Sequence, residues 1–176
     1  MPTAEFSIRK ASRDDAELLS ELGTRTFRDA FGADNDPQDL EEYIASAFTP
    51  AQIASELADP TVTFLLAYAA EKSVGYAKLK VGKVPECVHG FKPVELVRLY
   101  VEKDDIGQGY GAALMAACIE EARHSGYETL WLGVWERNEL ALDFYRRWDF
   151  SKVGSKEFVV GEDVQKDHIM ERSLKS

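Results

Sequence analysis

The amino-acid sequence predicts a mixed α/β fold, with about seven strands in one sheet and helices on both faces. Three observations predict it. The amino-terminal third carries apolar residues at helical spacing. The middle reads as a β-meander. The second half alternates strand, helix, strand, helix and closes on a hairpin, an order that argues for a mixed sheet covered on both sides.

Each element has its own warrant. Glu5 to Arg9 alternates weakly and reads as a first strand. Ser12 caps the first helix, with Asp14 and Asp15 in its opening turn, where carboxylates meet the positive helix end. Leu18, Leu19, Leu22 and Phe27 continue it at roughly helical spacing. Asp34-Asn35-Asp36-Pro37 is a turn, and Pro37 opens a helix whose apolar face is Leu40, Tyr43, Ile44 and Phe48. Thr49-Pro50 starts a short helix that ends before Asp59-Pro60. Val62 to Ala69 and Ser73 to Val81 are strands, and Glu71-Lys72 between them predicts a hairpin. Gly82 to Pro93 is irregular, and Val94 to Val101 is the strongest strand of the chain. Gly109 to Ser125 is a helix closed by Gly126. Thr129 to Trp135 is a strand, Asn138 to Trp148 a helix, and Lys152 to Val159 with Val164 to Glu171 form the last two strands.

The bulk properties bound the function. A chain of 176 residues suits one domain, 1–176. Thirty-one acidic residues against 21 basic ones give a formal charge of −10. That balance argues against nucleic-acid binding through phosphates and favours attraction of cationic small molecules. No apolar run reaches the roughly 20 residues that cross a bilayer. The opening Met1-Pro2-Thr3-Ala4-Glu5 has neither a basic nor an apolar signal region, so a cytoplasmic location is expected. Cys87 and Cys118 form no CxxC pair, which speaks against a disulfide framework or a zinc site. Cys118 lies in an apolar helical run and reads as a small buried hydrophobe.

The most informative stretch is the strand Leu96-Val97-Arg98-Leu99-Tyr100-Val101, followed shortly by Gly107-Gln108-Gly109-Tyr110-Gly111 at the start of a helix. A helix start has unpaired N–H groups and the positive end of its dipole. Glycines let an anion approach that backbone and permit positive φ. Strand, glycine loop and helix start therefore make a pocket for a phosphate or diphosphate. The dinucleotide fingerprint fails on spacing, and a P-loop fails because no Lys-Ser or Lys-Thr follows the last glycine.

Downstream, Trp131-Leu132-Gly133-Val134-Trp135 leads into Asn138-Glu139-Leu140-Ala141-Leu142-Asp143-Phe144-Tyr145, and the run ends at Phe150. Together the two segments resemble the GNAT superfamily of N-acetyltransferases. The glycine loop is similar to that family's Q/R-x-x-G-x-G/A signature, and the Asn-x-x-Ala-x-x-Phe-Tyr run to its second acetyl-CoA motif. Ile106 stands where the signature prefers Gln or Arg, and Asp149 where a Gly commonly precedes the Phe. Asp tolerates the left-handed conformation that such a site imposes.

The resemblance implies a strand pair splayed by a bulge, with acetyl-CoA in the gap. It implies that Leu99, Tyr100 and Val101 line the pantetheine arm and that Ile106, Gly107, Gln108, Gly109, Tyr110, Gly111 and Ala112 form the diphosphate loop. Asn138 and Tyr145 would meet the cofactor from the next helix. Tyr145 is similar to the family's tyrosine that protonates the departing sulfur. Glu95 lies where related enzymes carry a general base. Its alternative role is an ion pair with Arg98 or Lys78 at the strand edge.

The acceptor follows from charge and from resemblance. Asp29, Asp34, Asp36, Asp39, Glu41 and Glu42 crowd one amino-terminal region and would draw a polycation. Phe31, Asp34, Tyr43 and Trp135 are the candidate acceptor-binding residues. Phe27, Phe31, Tyr43 with Ser46-Ala47-Phe48, and Trp131 to Glu136 are similar to bacterial polyamine acetyltransferases of the PaiA type. Spermidine or spermine is therefore the leading acceptor, with peptide N-termini, amino acids and aminoglycosides as alternatives. A non-catalytic acyl-CoA sensor is a further alternative, which retention of Tyr145 and Asn138 disfavours. A metal is not expected, and a homodimer is a candidate assembly for a chain of this family.

Overall fold

The computed structural model describes residues 5–160 and 162–175. Met1 to Ala4, on which most of the expectation about a signal segment rests, lie outside the described residues. The strands are β1 (Phe6–Lys10), β2 (Val62–Ala69), β3 (Lys72–Lys80), β4 (Pro93–Val101), β5 (Thr129–Trp135), β6 (Ser151–Val160) and β7 (Asp163–Ser173). The helices are α1 (Ala16–Phe31), α2 (Pro37–Ala47), α3 (Pro50–Ala58), α4 (Tyr110–His124) and α5 (Glu139–Arg147). One seven-stranded sheet runs β1-β2-β3-β4-β5-β7-β6. The fold expected from the sequence is the fold observed.

Local chemistry sets the boundaries. Ser12 caps a short 3-10 turn, Arg13–Asp15, in a reciprocal box with Asp15, so α1 itself begins later than its first cap suggests. The Asp36 side chain accepts from the amides of Gln38 and Asp39 ahead of Pro37, and Thr49 accepts from Gln52 ahead of Pro50. Gly126 ends α4 at φ 90°. Asp149 takes φ 69°, the left-handed turn expected of an Asp at that position.

Alternation in the strands divides the core into two layers. Leu65, Ala77, Leu96, Leu130, Leu132 and Met170 face α4 and α5, where they meet Leu114, Met115, Cys118 and Leu142. Phe64, Leu66 and Tyr76 face the amino-terminal helices and meet Leu19, Leu22, Phe27, Ile44, Phe48 and Ile53. Gly23 permits this second contact, because a Cβ there would come within 2.6 Å of the Phe48 ring. Cys118 is buried and Cys87 half-buried, and both thiols are free.

Two features place the site. Register slips between Lys78 and Leu79, where Lys78 opposes Arg98 and Leu79 opposes Leu96, so Val97 is an extra residue that bends β4. The parallel pairing of β4 with β5 covers only Pro93 with Thr129, Val94 with Leu130 and Glu95 with Trp131. Past the bulge the two strands part, and the rest of β4 keeps β3 as its strand neighbour.

Candidate active site

The glycine loop lies at the open end of this gap. Gly107 has φ 90° and Gly109 φ 89°, a conformation that side chains with a Cβ rarely adopt. A Cβ at Gly107 would meet nothing within 4 Å, so the loop borders open space. Gly109 is the N-cap of α4, and the Ala113 amide donates to its carbonyl at 3.1 Å. Among the described residues, the amides of Gly107, Gln108, Gly109, Gly111 and Ala112 donate to no acceptor. Unpaired amides at a positive helix end, around open space, suit a diphosphate. The cradle thus fits the phosphates of a coenzyme. Tyr110 turns its ring inward, 5.2 Å from that of Phe6, and offers the loop only its backbone. Ile106 is exposed. Asn138 caps α5 by accepting from the Ala141 amide at 3.2 Å, which commits its carbonyl oxygen.

Leu99 pairs with Ala77 and Val101 with Gly75 on the β3 side, so their other edge faces the gap without a strand partner. Tyr145 reaches the gap from α5. Its ring sits edge-on to Phe144 at 5.5 Å and to Phe150 at 5.7 Å. Burial, with Cys118 nearby, pushes its phenol well above the usual range and keeps it protonated at neutral pH. Burial likewise raises Tyr100, and Tyr76 and Tyr145 add to the effect. Among the described residues, the buried side-chain polar atoms without a hydrogen-bond partner are Tyr76 Oη and Arg98 Nη1, and Tyr145 is half-buried. The phenol is neutral at ordinary pH, and its ring is held between Phe144 and Phe150.

Glu95 is the last residue of β4 paired with β5, just before the strands part. Neither alternative partner pairs with it, and Arg98 Nη1 is itself buried without a hydrogen-bond partner. Lys78 Nζ lies 2.5 Å from Glu56 Oε1, in a pair whose side chains are 7% and 13% exposed. Arg98 stacks over Phe48, 4.4 Å from the ring centroid. Glu95 forms no ion pair or hydrogen bond among the described residues, and burial raises its carboxyl above the ordinary range against the pull of Lys156, Lys78 and Lys80. A carboxylate with a raised pKa and no cation partner can accept a proton.

The Phe31 ring lies 6.5 Å from Tyr100 and 6.4 Å from Trp135, so α1, β4 and β5 converge there. Tyr43 stacks on Phe27 at 4.8 Å and meets Phe158 of β6 edge-on at 5.8 Å. Asp34 is exposed in the α1–α2 turn, which is latched to β7 by a 2.6 Å bond from Gln165 to Asn35. The fold therefore gathers Phe31, Tyr100 and Trp135 into one aromatic cluster, with Tyr43 one aromatic layer behind and Asp34 exposed in the adjoining turn.

Sequence reasoning passed over one group here. Asp167 of β7 is buried beside Trp135, its register partner on β5. Burial lifts its carboxyl to about 6, against the pull of Lys156. The available signal was a charged residue at an inward position of an otherwise apolar alternation, Asp167-His168-Ile169-Met170.

The cradle beside the parted strands suits a transferase that uses an acyl-coenzyme A. The acetyltransferase (GNAT) family profile matches residues 21–150. The chain belongs to that family, is an N-acetyltransferase, and uses acetyl-CoA as its acetyl donor. An uncharacterised N-acetyltransferase of Lactobacillus delbrueckii subsp. lactis is 29% identical over 95% of this chain and 96% of its own length. An uncharacterised N-acetyltransferase of Mycobacterium tuberculosis is 31% identical over 91% of this chain and 98% of its own. Among solved structures, the PaiA N-acetyltransferase of Thermoplasma acidophilum in complex with coenzyme A aligns with a TM-score of 0.78 at 21% identity, covering 96% of this chain and 99% of that one. The ribosomal-protein-S18-alanine N-acetyltransferase of Escherichia coli aligns at 0.72 with 18% identity, covering 97% and 95%. Those two structures share the fold, and the second carries an acceptor, the alanine of ribosomal protein S18, in its name. No helix among the described residues is long and apolar enough to cross a membrane.

Proposed function

We propose that the chain acetylates a polyamine, with spermidine or spermine as the acceptor, and that it is a cytoplasmic enzyme of the PaiA type. The observation that carries the reading is Glu95: a half-buried carboxylate without a cation partner, in a cleft walled by Phe31, Tyr100 and Trp135. A polyamine offers such a cleft methylenes for the rings and ammonium groups for the carboxylate. The overall charge of −10 adds long-range attraction. Residues 1–176 would act as one domain on a small-molecule substrate without nucleic acid, and a homodimer is the candidate assembly.

Acetyl-CoA supplies a thioester carbonyl open to attack by an amine. In this reading the edge of β4 at Leu99, Tyr100 and Val101 holds the pantetheine arm. The amides of Gly107 to Ala112, with Ile106 and Tyr110 in the same turn, hold the diphosphate. Asn138 presents its side-chain nitrogen from the cap of α5. Phe31, Asp34, Tyr43 and Trp135 shape the acceptor pocket. Glu95 removes the proton from the attacking ammonium, directly or through water, so that a neutral nitrogen forms the new bond. Tyr145 delivers its proton to the sulfur as the carbon–sulfur bond breaks, and the phenolate is reprotonated by the second proton that leaves the acylated nitrogen, directly or through water. In this reading the base comes from β4 and the acid from α5.

Thiol release from acetyl-CoA over a panel of amines tests the reading. The highest kcat/KM is expected with spermidine or spermine. Turnover confined to amino acids or peptide amines, with polyamines inert, would overturn it.

A further inference from the structure

We infer that Asp167 is a second acceptor-binding carboxylate, which takes a further ammonium group of a dicationic acceptor, and that Lys156 stands in for that ammonium in the free enzyme. The inference rests on the reading of this cleft as the acceptor side and deepens it to a specificity-determining residue.

Three strands bring the groups together. Asp167 is the register partner of Trp135 on β5 and of Lys156 on β6, so all three side chains share one face. Gly133 lies on that face two residues before Trp135. A Cβ at Gly133 would lie 3.3 Å from Asp167 Oδ2, 3.3 Å from Lys156 Cε and 3.7 Å from Lys156 Nζ. The carboxylate and the lysine side chain therefore pack over Gly133, in room that a side chain at residue 133 would take.

Asp167 is 7% exposed, yet among the described residues its carboxylate has no hydrogen bond and no ion pair. Buried carboxylates are ordinarily paired, because leaving water uncompensated is costly. Lys156 is the nearest cation by effect, pulling on both Asp167 and Glu95, and it forms an ion pair with neither. Its exposed side chain reaches across with Nζ 5.9 Å from the Trp131 ring centroid. An exposed lysine that pairs with neither carboxylate is readily displaced by a cation that fits better. The complementary ligand is an aliphatic di- or polyamine. One nitrogen faces Glu95 and is acetylated, its methylenes pass the aromatic wall, and a second nitrogen stays charged at Asp167.

The test compares 1,4-diaminobutane with butylamine, two acceptors of equal chain length that differ by one ammonium. The readout is the ratio of their kcat/KM values at saturating acetyl-CoA, in the wild type, Asp167→Asn and Lys156→Gln. Asp167→Asn is nearly isosteric and Lys156 is exposed, and a melting curve with acetyl-CoA verifies that each variant folds. The wild type is expected to favour the diamine by about tenfold or more. Asp167→Asn should bring the ratio to about one, and Lys156→Gln should raise it. A wild-type preference that survives Asp167→Asn overturns the inference and leaves the polyamine reading standing. No preference in the wild type defeats the polyamine reading, and Lys156→Gln then decides the subsite alone. A diamine preference appearing in Lys156→Gln supports it, and continued indifference overturns it.

Discussion

Lys78 on β3 holds Glu56 of α3 at 2.5 Å and thereby leaves Glu95, on the neighbouring strand, without a cation. The pair is nearly buried, so removing either partner would strand a charge at a cost of about 3–5 kcal/mol. The ion pair thus anchors α3 and keeps the cleft carboxylate free to titrate.

The first prediction concerns that carboxylate. Glu95→Gln should lower kcat by about a hundredfold or more, with KM for acetyl-CoA little changed. The wild-type rate should fall on acidification, because protonated Glu95 cannot accept. Burial raises Glu95, so this acid limb should lie above the ordinary carboxylate range. A pH profile of kcat/KM for the amine checks both points. An unaltered acid limb in the variant removes Glu95 from the role of base.

Tyr145 gives the complementary case. Tyr145→Phe keeps the ring contacts with Phe144 and Phe150 and removes the proton. Turnover should drop by about 10²–10⁴-fold while acetyl-CoA affinity stays within a few fold. Steady-state kinetics beside a direct binding measurement separates the two. Turnover equal to wild type rules out the phenol as the acid.

The glycine loop is tested through binding. Gly109 sits at φ 89°, so Gly109→Val forces a β-branched residue into a strained conformation and sets a side chain where an anion would approach. Wild-type protein should gain about 2.7 kcal/mol of stability at a ligand concentration of a hundred times Kd. Gly109→Val should show almost none of that gain in a thermal melt with acetyl-CoA. Equal stabilisation of both proteins would exclude the loop as the diphosphate site.

Asp167 makes a prediction of opposite sign. Its folded-state carboxyl titrates at about 6, above the unfolded value of 3.8. Between those values the folded state binds more protons, so stability falls as pH rises through the window. At pH 7.5 the buried charge costs on the order of 2–3 kcal/mol, which Asp167→Asn should recover. The melting temperature of the variant should exceed wild type at pH 7.5 and converge with it near pH 4. A variant less stable than wild type at pH 7.5 would contradict the unpaired, buried carboxylate.

Much of this was legible in the sequence because it depends on local rules. Strand and helix periodicity, Pro37 and Pro50 after their caps, and Gly126 after α4 fixed element ends within a residue or two. Gly107 and Gly109 announced a positive-φ loop before a helix, and Asp149 could be read as a left-handed turn. Family motifs supplied the bulge and the parted strands, which no local propensity encodes.

The sequence by itself determined the element order, the two apolar faces and the anion loop, since each follows from neighbours along the chain. Only the tertiary structure decided which charges meet. Glu95 pairs with neither Arg98 nor Lys78 because α3 brings Glu56 to Lys78 and α2 ends on Phe48 beneath Arg98. Asp167 comes between Trp135 and Lys156 because β7 lies between β5 and β6, an adjacency set by sheet order. Electrostatics acts through space, and a linear chain does not carry those distances until the sheet is assembled.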